Sequence, residues 1–173
     1  MTGRVFVDAN VFVYAHDPAD RVKQARAAGW IAHLWRESLG RTSMQVLSEC
    51  YVTFTRKLAV RIPAERAWEE MSALLAWRPQ PIDEPLLRRS WEIEQRYRLS
   101  WWDSMVVAAG QLQECSTLLT EDLQDGMTFG PLTVRSPFTL QIGEPSSLYA
   151  IPAVYPRHRP RGRPRRTTAA ASR

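Results

Sequence analysis

Residues Arg4–Asn10, with the sequence Arg-Val-Phe-Val-Asp-Ala-Asn, form a short apolar run that ends on an acid. A run this rich in Val and Phe is typical of a buried β-strand. Polar residues at the carboxyl end of such a strand are typical of a ligand-binding cleft in an α/β sheet. The stretch therefore predicts a first strand and places a candidate functional residue, Asp8, at its end.

The composition indicates a globular protein with one domain. The chain has 173 residues, of which 45% are hydrophobic and 24% charged, and this length is enough to bury a substantial core. No window approaches the roughly 18 consecutive apolar residues of a membrane helix, and Asp8 lies where a signal peptide would keep its apolar run. We therefore expect a soluble cytoplasmic protein that does not associate with membranes.

The cysteines and the charge distribution narrow the class further. Cys50 and Cys115 provide neither a disulfide framework nor a metal cluster, and we expect both to be buried thiols. All 18 acidic residues precede Tyr155, whereas the chain from Tyr155 onward carries seven arginines and no acid. The net charge of +5 therefore comes from the end of the chain.

The order of the predicted elements favours an α/β fold. Helical periodicity predicts one amphipathic helix that begins after the cap Asp17, and four more helices at about 45–58, 64–75, 83–98 and 99–110. Extended segments are predicted at 4–7, 41–44, around Ile82, at 116–120 and at 132–135. This alternation predicts a parallel β-sheet of about five strands with helices on both faces. The small side chains near Gly110 indicate a helix packed closely on the sheet.

The periodicity ends near Thr139, where prolines and arginines become frequent. Such a composition buries too little apolar surface to offset the entropy of ordering the chain. We therefore predict a domain at residues 1–138 and a disordered, basic extension at 139–173.

Four acids follow strands or lie in adjoining helices: Asp8, Glu49, Asp103 and Asp122. In a parallel sheet these positions converge at one edge, where unpaired carboxylates would repel one another. A cation would relieve that repulsion, and oxygen ligands favour Mg²⁺ or Mn²⁺. No His or Cys pairing offers a zinc site.

Each acid also has an ordinary structural interpretation. Asp8 could form an Asx turn with Asn10, and Glu49 could be a solvated helix residue. Asp103 follows Ser100 at the spacing of a capping box. Residues 120–122 resemble a helix cap with acids that stabilise the helix dipole. Four ordinary explanations at one sheet edge are less convincing together than a single site.

Four motifs, in order, resemble the PIN domain family. They are Val5-Phe6-Val7-Asp8-Ala9-Asn10-Val11, Ser43-Met44-Gln45-Val46-Leu47-Ser48-Glu49, Leu99-Ser100-Trp101-Trp102-Asp103-Ser104 with Val107-Ala108-Ala109, and Leu118-Leu119-Thr120-Glu121-Asp122-Leu123. Their order and spacing are most similar to those of the VapC toxins of bacterial toxin–antitoxin pairs. The resemblance covers about residues 3–138, and it is the ordered set of motifs that makes it specific.

The resemblance implies both a site and an activity. In such a site Asp8, Glu49, Asp103 and Asp122 hold one or two divalent metal ions, Mg²⁺ or Mn²⁺. Asn10, Ser43 and Thr120 match the family's supporting polar positions, which hydrogen-bond to the acids and orient them. Glu121 and Asp125 are candidates for residues just outside the metal ligands. The implied reaction is Mg²⁺-dependent hydrolysis of RNA that leaves a 5′-phosphate and a 3′-hydroxyl. The implied partners are RNA, a second copy of the chain in a homodimer, and an antitoxin whose basic side chain enters the acid cluster.

Two other functions remain open from the sequence. A Mg²⁺-dependent phosphatase of the haloacid-dehalogenase type would need a second Asp where Asn10 stands, and a phosphate-binding Lys, whereas the only lysines are Lys23 and Lys57. A catalytically inert PIN fold that binds RNA or a protein partner should have lost at least one of the four acids, and all four are present. Both alternatives rank below the ribonuclease.

The basic extension has two interpretations. Its arginines could contact RNA phosphates and add salt-dependent affinity, or they could belong to a solvated tail without a dedicated role. The candidates are Arg157, Arg159, Arg161, Arg163, Arg165 and Arg166. They lie outside the resemblance, so the family implies nothing about them.

Overall fold

The protein is an α/β sandwich, described by a computed structural model over residues 3–142 and the backbone of 151–152. The strands are β1 Arg4–Val7, β2 Gly40–Arg41, β3 Cys115–Leu119, β4 Met127–Phe129, β5 Leu132–Arg135 and β6 Ile151–Pro152. The α-helices are α1 Ala9–His16, α2 Arg21–Arg36, α3 Met44–Val52, α4 Ala64–Leu74, α5 Glu84–Tyr97 and α6 Trp101–Leu112. A π-helical turn, Thr53–Lys57, extends α3, and a 3₁₀ turn, Leu75–Trp77, extends α4.

The sheet has the strand order β2-β1-β3-β5-β4-β6. β1 is parallel to β2 and β3, and β3 is parallel to β5, which confirms the predicted parallel core of the sheet. β4 departs from the prediction because it runs antiparallel to β5. It forms a hairpin with β5 through Gly130, whose φ of 64° lies in the region that glycine tolerates best. A three-residue strand beside a turn leaves too short a pattern to detect in the sequence.

The prediction of an extended segment around Ile82 is wrong in its position. Ile82 is 54% exposed and belongs to no strand. The backbone of Gln80 instead bridges the segment after β2, donating from its N–H to the carbonyl of Thr42 at 2.9 Å and accepting from the N–H of Met44 at 2.9 Å. Pro81 has no N–H to continue this ladder.

The helix cap predicted at Asp17 is also wrong. The apolar residues after Asn10 form α1, and the N–H of Asp17 donates to the carbonyl of Val13 at 3.0 Å, which ends that helix. Asp20 caps α2 instead, accepting from the N–H groups of Val22 and Lys23. An eight-residue helix is too short to show a clear period, and the Asp17-Pro18 pair at its end has the pattern of a helix start.

Both faces of the sheet are covered. Val5, Phe6 and Val7 are all fully buried, although consecutive strand residues point to opposite faces. On α6, a Cβ at Gly110 would lie 3.0 Å from Leu132 Cδ2 and 3.5 Å from Phe6 Cβ. This close approach confirms that α6 packs on the sheet through small residues.

Gly40 provides a first test of the packing around β2. A Cβ at this position would lie 2.5–2.6 Å from the indole of Trp77, which is 4% exposed and cannot retreat easily. We expect Gly40→Ala to lower the free energy of unfolding by about 1–3 kcal/mol, as measured by urea denaturation.

The matched control is Gly29→Ala in the middle of α2, where the nearest atom to the new Cβ would be Ile142 Cδ1 at 3.7 Å. There the better helix propensity of alanine should raise stability by about 0.5–1 kcal/mol. Equal unfolding midpoints for the two variants would contradict the close contact between Gly40 and the Trp77 indole.

Both cysteines are buried thiols outside any disulfide, as predicted. Burial raises the pKa of Cys115 to about 12, so this thiol holds almost no thiolate at neutral pH. We expect iodoacetamide to modify neither cysteine in the folded protein and to modify both in denaturant, as read by mass spectrometry. Rapid labelling of Cys115 without denaturant would contradict the burial of this thiol.

Packed structure continues beyond β5. Trp30 Nε1 donates to the carbonyl of Pro137 at 3.0 Å, and the guanidinium of Arg26 donates to the carbonyls of Phe138 and Leu140. Leu140 is fully buried, and the backbone of β6 pairs with β4. Most of the predicted extension, including its seven arginines, lies outside the described residues. In the described part of the chain, no helix is both long enough and apolar enough to cross a membrane.

Candidate functional site

Asp8 is a buried carboxylate at the carboxyl end of β1, with 1% of its surface exposed. Because α1 begins directly after it, Asp8 is a helix cap, and its Oδ1 accepts from the N–H of Ala9 at 2.7 Å. Its Oδ2 accepts from the amide of Asn10 at 3.3 Å. The cap therefore replaces the simple Asx turn that the sequence allowed.

Thr120, directly after β3, connects the polar groups at this sheet edge. The register pairs Val7 with Leu119, which brings the ends of β1 and β3 side by side. The Thr120 hydroxyl donates to Asp8 Oδ2 at 2.8 Å and accepts from Asn10 Nδ2 at 2.9 Å and from the N–H of Asp122 at 3.1 Å. A hydroxyl can donate one hydrogen bond and accept two, so the Thr120 hydroxyl makes all the hydrogen bonds that it can.

The segment after Thr120 corrects another expectation. Residues 121–123 form a bend and 125–126 a turn, and no helix begins there. The hydrogen bond from the N–H of Asp122 to Thr120 therefore stabilises a bend, and the ordinary interpretation of 120–122 as a helix cap is wrong. The bond nevertheless fixes the backbone of Asp122 beside Asp8.

The second polar group lies where α3 and α6 meet. Ser43 caps α3 by accepting from the N–H of Val46 at 3.2 Å. Gln45, with 3% exposure, donates from Nε2 to Glu49 Oε1 at 2.8 Å and to the carbonyl of Trp102 at 3.4 Å. Glu49 is thereby held against the amino end of α6, in a half-buried position.

Asp103 occupies the first turn of α6 and is 2% exposed. Its N–H donates to Ser100 Oγ at 3.1 Å, and the Ser100 hydroxyl donates to Asp103 Oδ2 at 2.6 Å. The pairing of Ser100 and Asp103 is the one that the capping spacing predicted. It also orients a carboxylate that the fold has removed from bulk water.

The two groups are adjacent. α3 packs against α1, and the thiol of Cys50 approaches the carbonyl of Ala9 at 3.9 Å. Cys50 directly follows Glu49 in the sequence, and Ala9 directly follows Asp8, so the backbones beside these two predicted acids lie close together. Nevertheless, within residues 3–142 no three Asp, Glu, His or Cys side chains form a group that could hold a metal ion. The structure brings together neighbours of the acids, and the four-acid metal cluster stays a prediction.

Two candidate outer-shell acids have partners of their own. Glu121 accepts from Lys23 Nζ at 2.8 Å, and this bond raises the pKa of the lysine. The ammonium also lies over the ring of Tyr14, at 4.6 Å, and burial is the main cause of the raised pKa of that phenol. Asp125 accepts from Arg135 Nε at 3.0 Å. These ion pairs give both acids a structural role.

Gln45 is the residue that the sequence interpretation missed. Its spacing of four residues from Glu49 on one helix was the available signal, because such pairs are neighbours on a helix surface. The contact with Trp102 had no sequence signal, since it spans 57 residues.

The oxygen atoms of the site suit a hard cation. Asn10 Oδ1 and Gln45 Oε1 are buried and accept no hydrogen bond. Orphaned acceptors of this kind are costly and normally meet a donor, such as water. Mg²⁺ takes oxygen ligands and retains several waters, so the chemistry of the residues fits this ion.

The comparisons with known proteins point to one family and one fold. The family model described as "PIN domain" matches residues 5–124. A structure of FitAB bound to an IR36 DNA fragment aligns with a TM-score of 0.62 at 20% identity, covering 81% of this chain and 99% of the other. Among curated proteins, none matches this chain significantly.

Two further solved structures share the fold. The VapC20 toxin of Mycobacterium tuberculosis, described as cleaving the sarcin–ricin loop, aligns with a TM-score of 0.50 at 19% identity, covering 66% of this chain and 86% of the other. A toxin–antitoxin complex from Klebsiella pneumoniae aligns with a TM-score of 0.52 at 18% identity, covering 79% and 99%. Identities this low establish similarity of fold.

Proposed function

The chain belongs to the PIN domain family, and from this premise we propose that it is a Mg²⁺- or Mn²⁺-dependent endoribonuclease, the toxin of a toxin–antitoxin pair. The observation that carries the proposal is the buried Asp8 carboxylate, oriented by Ala9, Asn10 and Thr120 at the carboxyl edge of a parallel sheet. Burying a carboxylate so deeply is costly unless it is hydrogen-bonded or paired with a cation, and ionisable groups held in this way are concentrated at functional sites.

The chain's own residues would bind the metal and orient its ligands. Asp8, Glu49, Asp103 and Asp122 would supply the oxygen ligands. A bound metal would lower the pKa of a water molecule and stabilise charge on the phosphate. Thr120 fixes the orientation of Asp8, Gln45 that of Glu49 and Ser100 that of Asp103, so each rotamer is set before RNA arrives.

The test is cleavage of a single-stranded RNA by the purified full chain. We expect cleavage with Mg²⁺ or Mn²⁺, none with EDTA, and recovery when the metal is restored. The product ends separate this mechanism from metal-independent ribonucleases, since attack of water on phosphorus with the 3′-oxygen as the leaving group leaves a 5′-phosphate and a 3′-hydroxyl. A 2′,3′-cyclic phosphate, or equal cleavage in EDTA, would overturn the proposal.

An inert PIN fold that binds RNA or a protein is the alternative, and the missing three-ligand group among the described residues favours it. Titration of the metal-free protein with Mn²⁺ by calorimetry decides between the two. An enzyme gives a saturable heat that is lost on Asp103→Asn, whereas an inert module gives only heat of dilution.

The proposed partners are an antitoxin and a second copy of the chain, acting in the cytoplasm. Support comes from the fold, which this chain shares with components of toxin–antitoxin complexes. A guanidinium from the antitoxin would relieve the repulsion among the acids as a metal does. Co-purification with the product of an adjacent gene, and growth arrest when the chain is expressed alone, are the expected results.

A further inference from the structure

Trp102 is an exposed tryptophan directly beside a buried acid. It is the second residue of α6 and is 51% exposed, whereas Asp103 next to it is 2% exposed. Trp68 and Trp91 are exposed too, at 62% and 58%, but neither lies beside one of the four predicted acids. An exposed aromatic ring at the edge of a polar site is available to contact a ligand that binds there.

The backbone of Trp102 is tied to the acids. Its carbonyl accepts from Gln45 Nε2 at 3.4 Å, and the same nitrogen donates to Glu49 Oε1 at 2.8 Å. Gln45 itself is 3% exposed. The indole is therefore carried by a backbone that is fixed relative to both Glu49 and Asp103.

We propose that Trp102 is a stacking platform for a nucleobase of single-stranded RNA, next to the phosphate that is cleaved. This inference rests on the proposed ribonuclease function. With one or two divalent ions bound, the four acids leave no net positive charge to attract the other phosphates of the substrate, so an uncharged contact is a suitable source of further affinity at this end. Base stacking on an aromatic ring supplies it, and every base has a π-face to offer.

The position of Trp102 favours a nucleobase over a protein partner. A protein surface large enough to bury the indole would also cover the neighbouring acids, as the proposed antitoxin would in an inhibited complex, so it could not be present in the complex that cleaves RNA. A single base occupies the ring while its phosphate lies toward Glu49 and Asp103. An indole also loses little conformational entropy on contact, because it has only two side-chain torsions.

The experiment measures binding separately from cleavage. The full chain is titrated into a short fluorescein-labelled single-stranded RNA of mixed sequence, with Ca²⁺ in place of Mg²⁺ and with gels to verify that the RNA stays intact. Trp102→Ala should weaken binding roughly 5- to 150-fold, which corresponds to the loss of one stacked base. Trp102→Phe should recover most of the affinity.

An abasic chain of the same length supplies the decisive comparison. Wild type should bind it more weakly than the RNA, whereas Trp102→Ala should bind both about equally. The matched control is Trp91→Ala, since Trp91 is 58% exposed on α5 and is neither next to a predicted acid nor bonded to Gln45. This variant should bind like wild type.

The outcomes separate the two proposals. Unchanged RNA affinity in Trp102→Ala, with normal cleavage by the wild type, would overturn the platform and leave the ribonuclease intact. Loss of self-association in Trp102→Ala at unchanged RNA affinity would assign the residue to a protein interface. A wild type that neither binds nor cleaves RNA would remove both.

Discussion

Replacing Asp8 by Asn is expected to leave a folded protein that cleaves RNA at least about a hundredfold more slowly, because a metal site supplies several kcal/mol of charge stabilisation. The amide keeps an oxygen that can accept from the N–H of Ala9, so α1 retains its cap. It lacks the negative charge that a divalent cation requires. The measurement is single-turnover cleavage with saturating Mg²⁺, together with circular dichroism.

The matched control for this substitution is Asp83→Asn. Asp83 caps α5 by accepting from the N–H of Leu86 at 3.0 Å, so the same exchange of side chains tests capping alone. Asn and Asp are comparable caps, and Asp83→Asn should cleave RNA at the wild-type rate. If Asp8→Asn retains wild-type activity while folded, the assignment of Asp8 as a ligand is wrong.

Replacing Thr120 by Val should weaken both the site and the fold. The exchange keeps the shape of the side chain and removes a hydroxyl that makes three hydrogen bonds, to Asp8, Asn10 and Asp122. We expect metal affinity or activity to fall about 10- to 100-fold, as for other groups that orient a ligand. Leaving buried partners unsatisfied should also cost about 1–3 kcal/mol of unfolding free energy.

Two variants separate these effects. Thr120→Ser keeps the hydroxyl and should retain most of the metal affinity, measured by Mn²⁺ calorimetry. Thr117→Val, on the preceding strand β3, removes a buried hydroxyl that has no hydrogen-bond partner, so it should be neutral or stabilising. If Thr117→Val and Thr120→Val have equal effects, the hydroxyl of Thr120 has no special role in the site.

The sequence was informative where one local pattern decided the outcome. The run before Asp8 is β1, and periodic apolar residues located the helices from α3 to α6 to within a few residues. The caps Ser100 and Asp83 follow from side chains that reach backbone a few residues away. Local patterns failed for α1 and β4, which are too short to repeat their own period.

The ordered set of acids and the family to which the chain belongs were thus determined by the sequence, because motif order and spacing are properties of the chain itself. Tertiary structure decided which polar group orients which acid. Thr120 reaches Asp8 across 112 residues, and Gln45 reaches Trp102 across 57. These contacts depend on the register of β1 against β3 and on how α3 packs beside α6. No local pattern encodes that register, since it is set by the packing of the whole core.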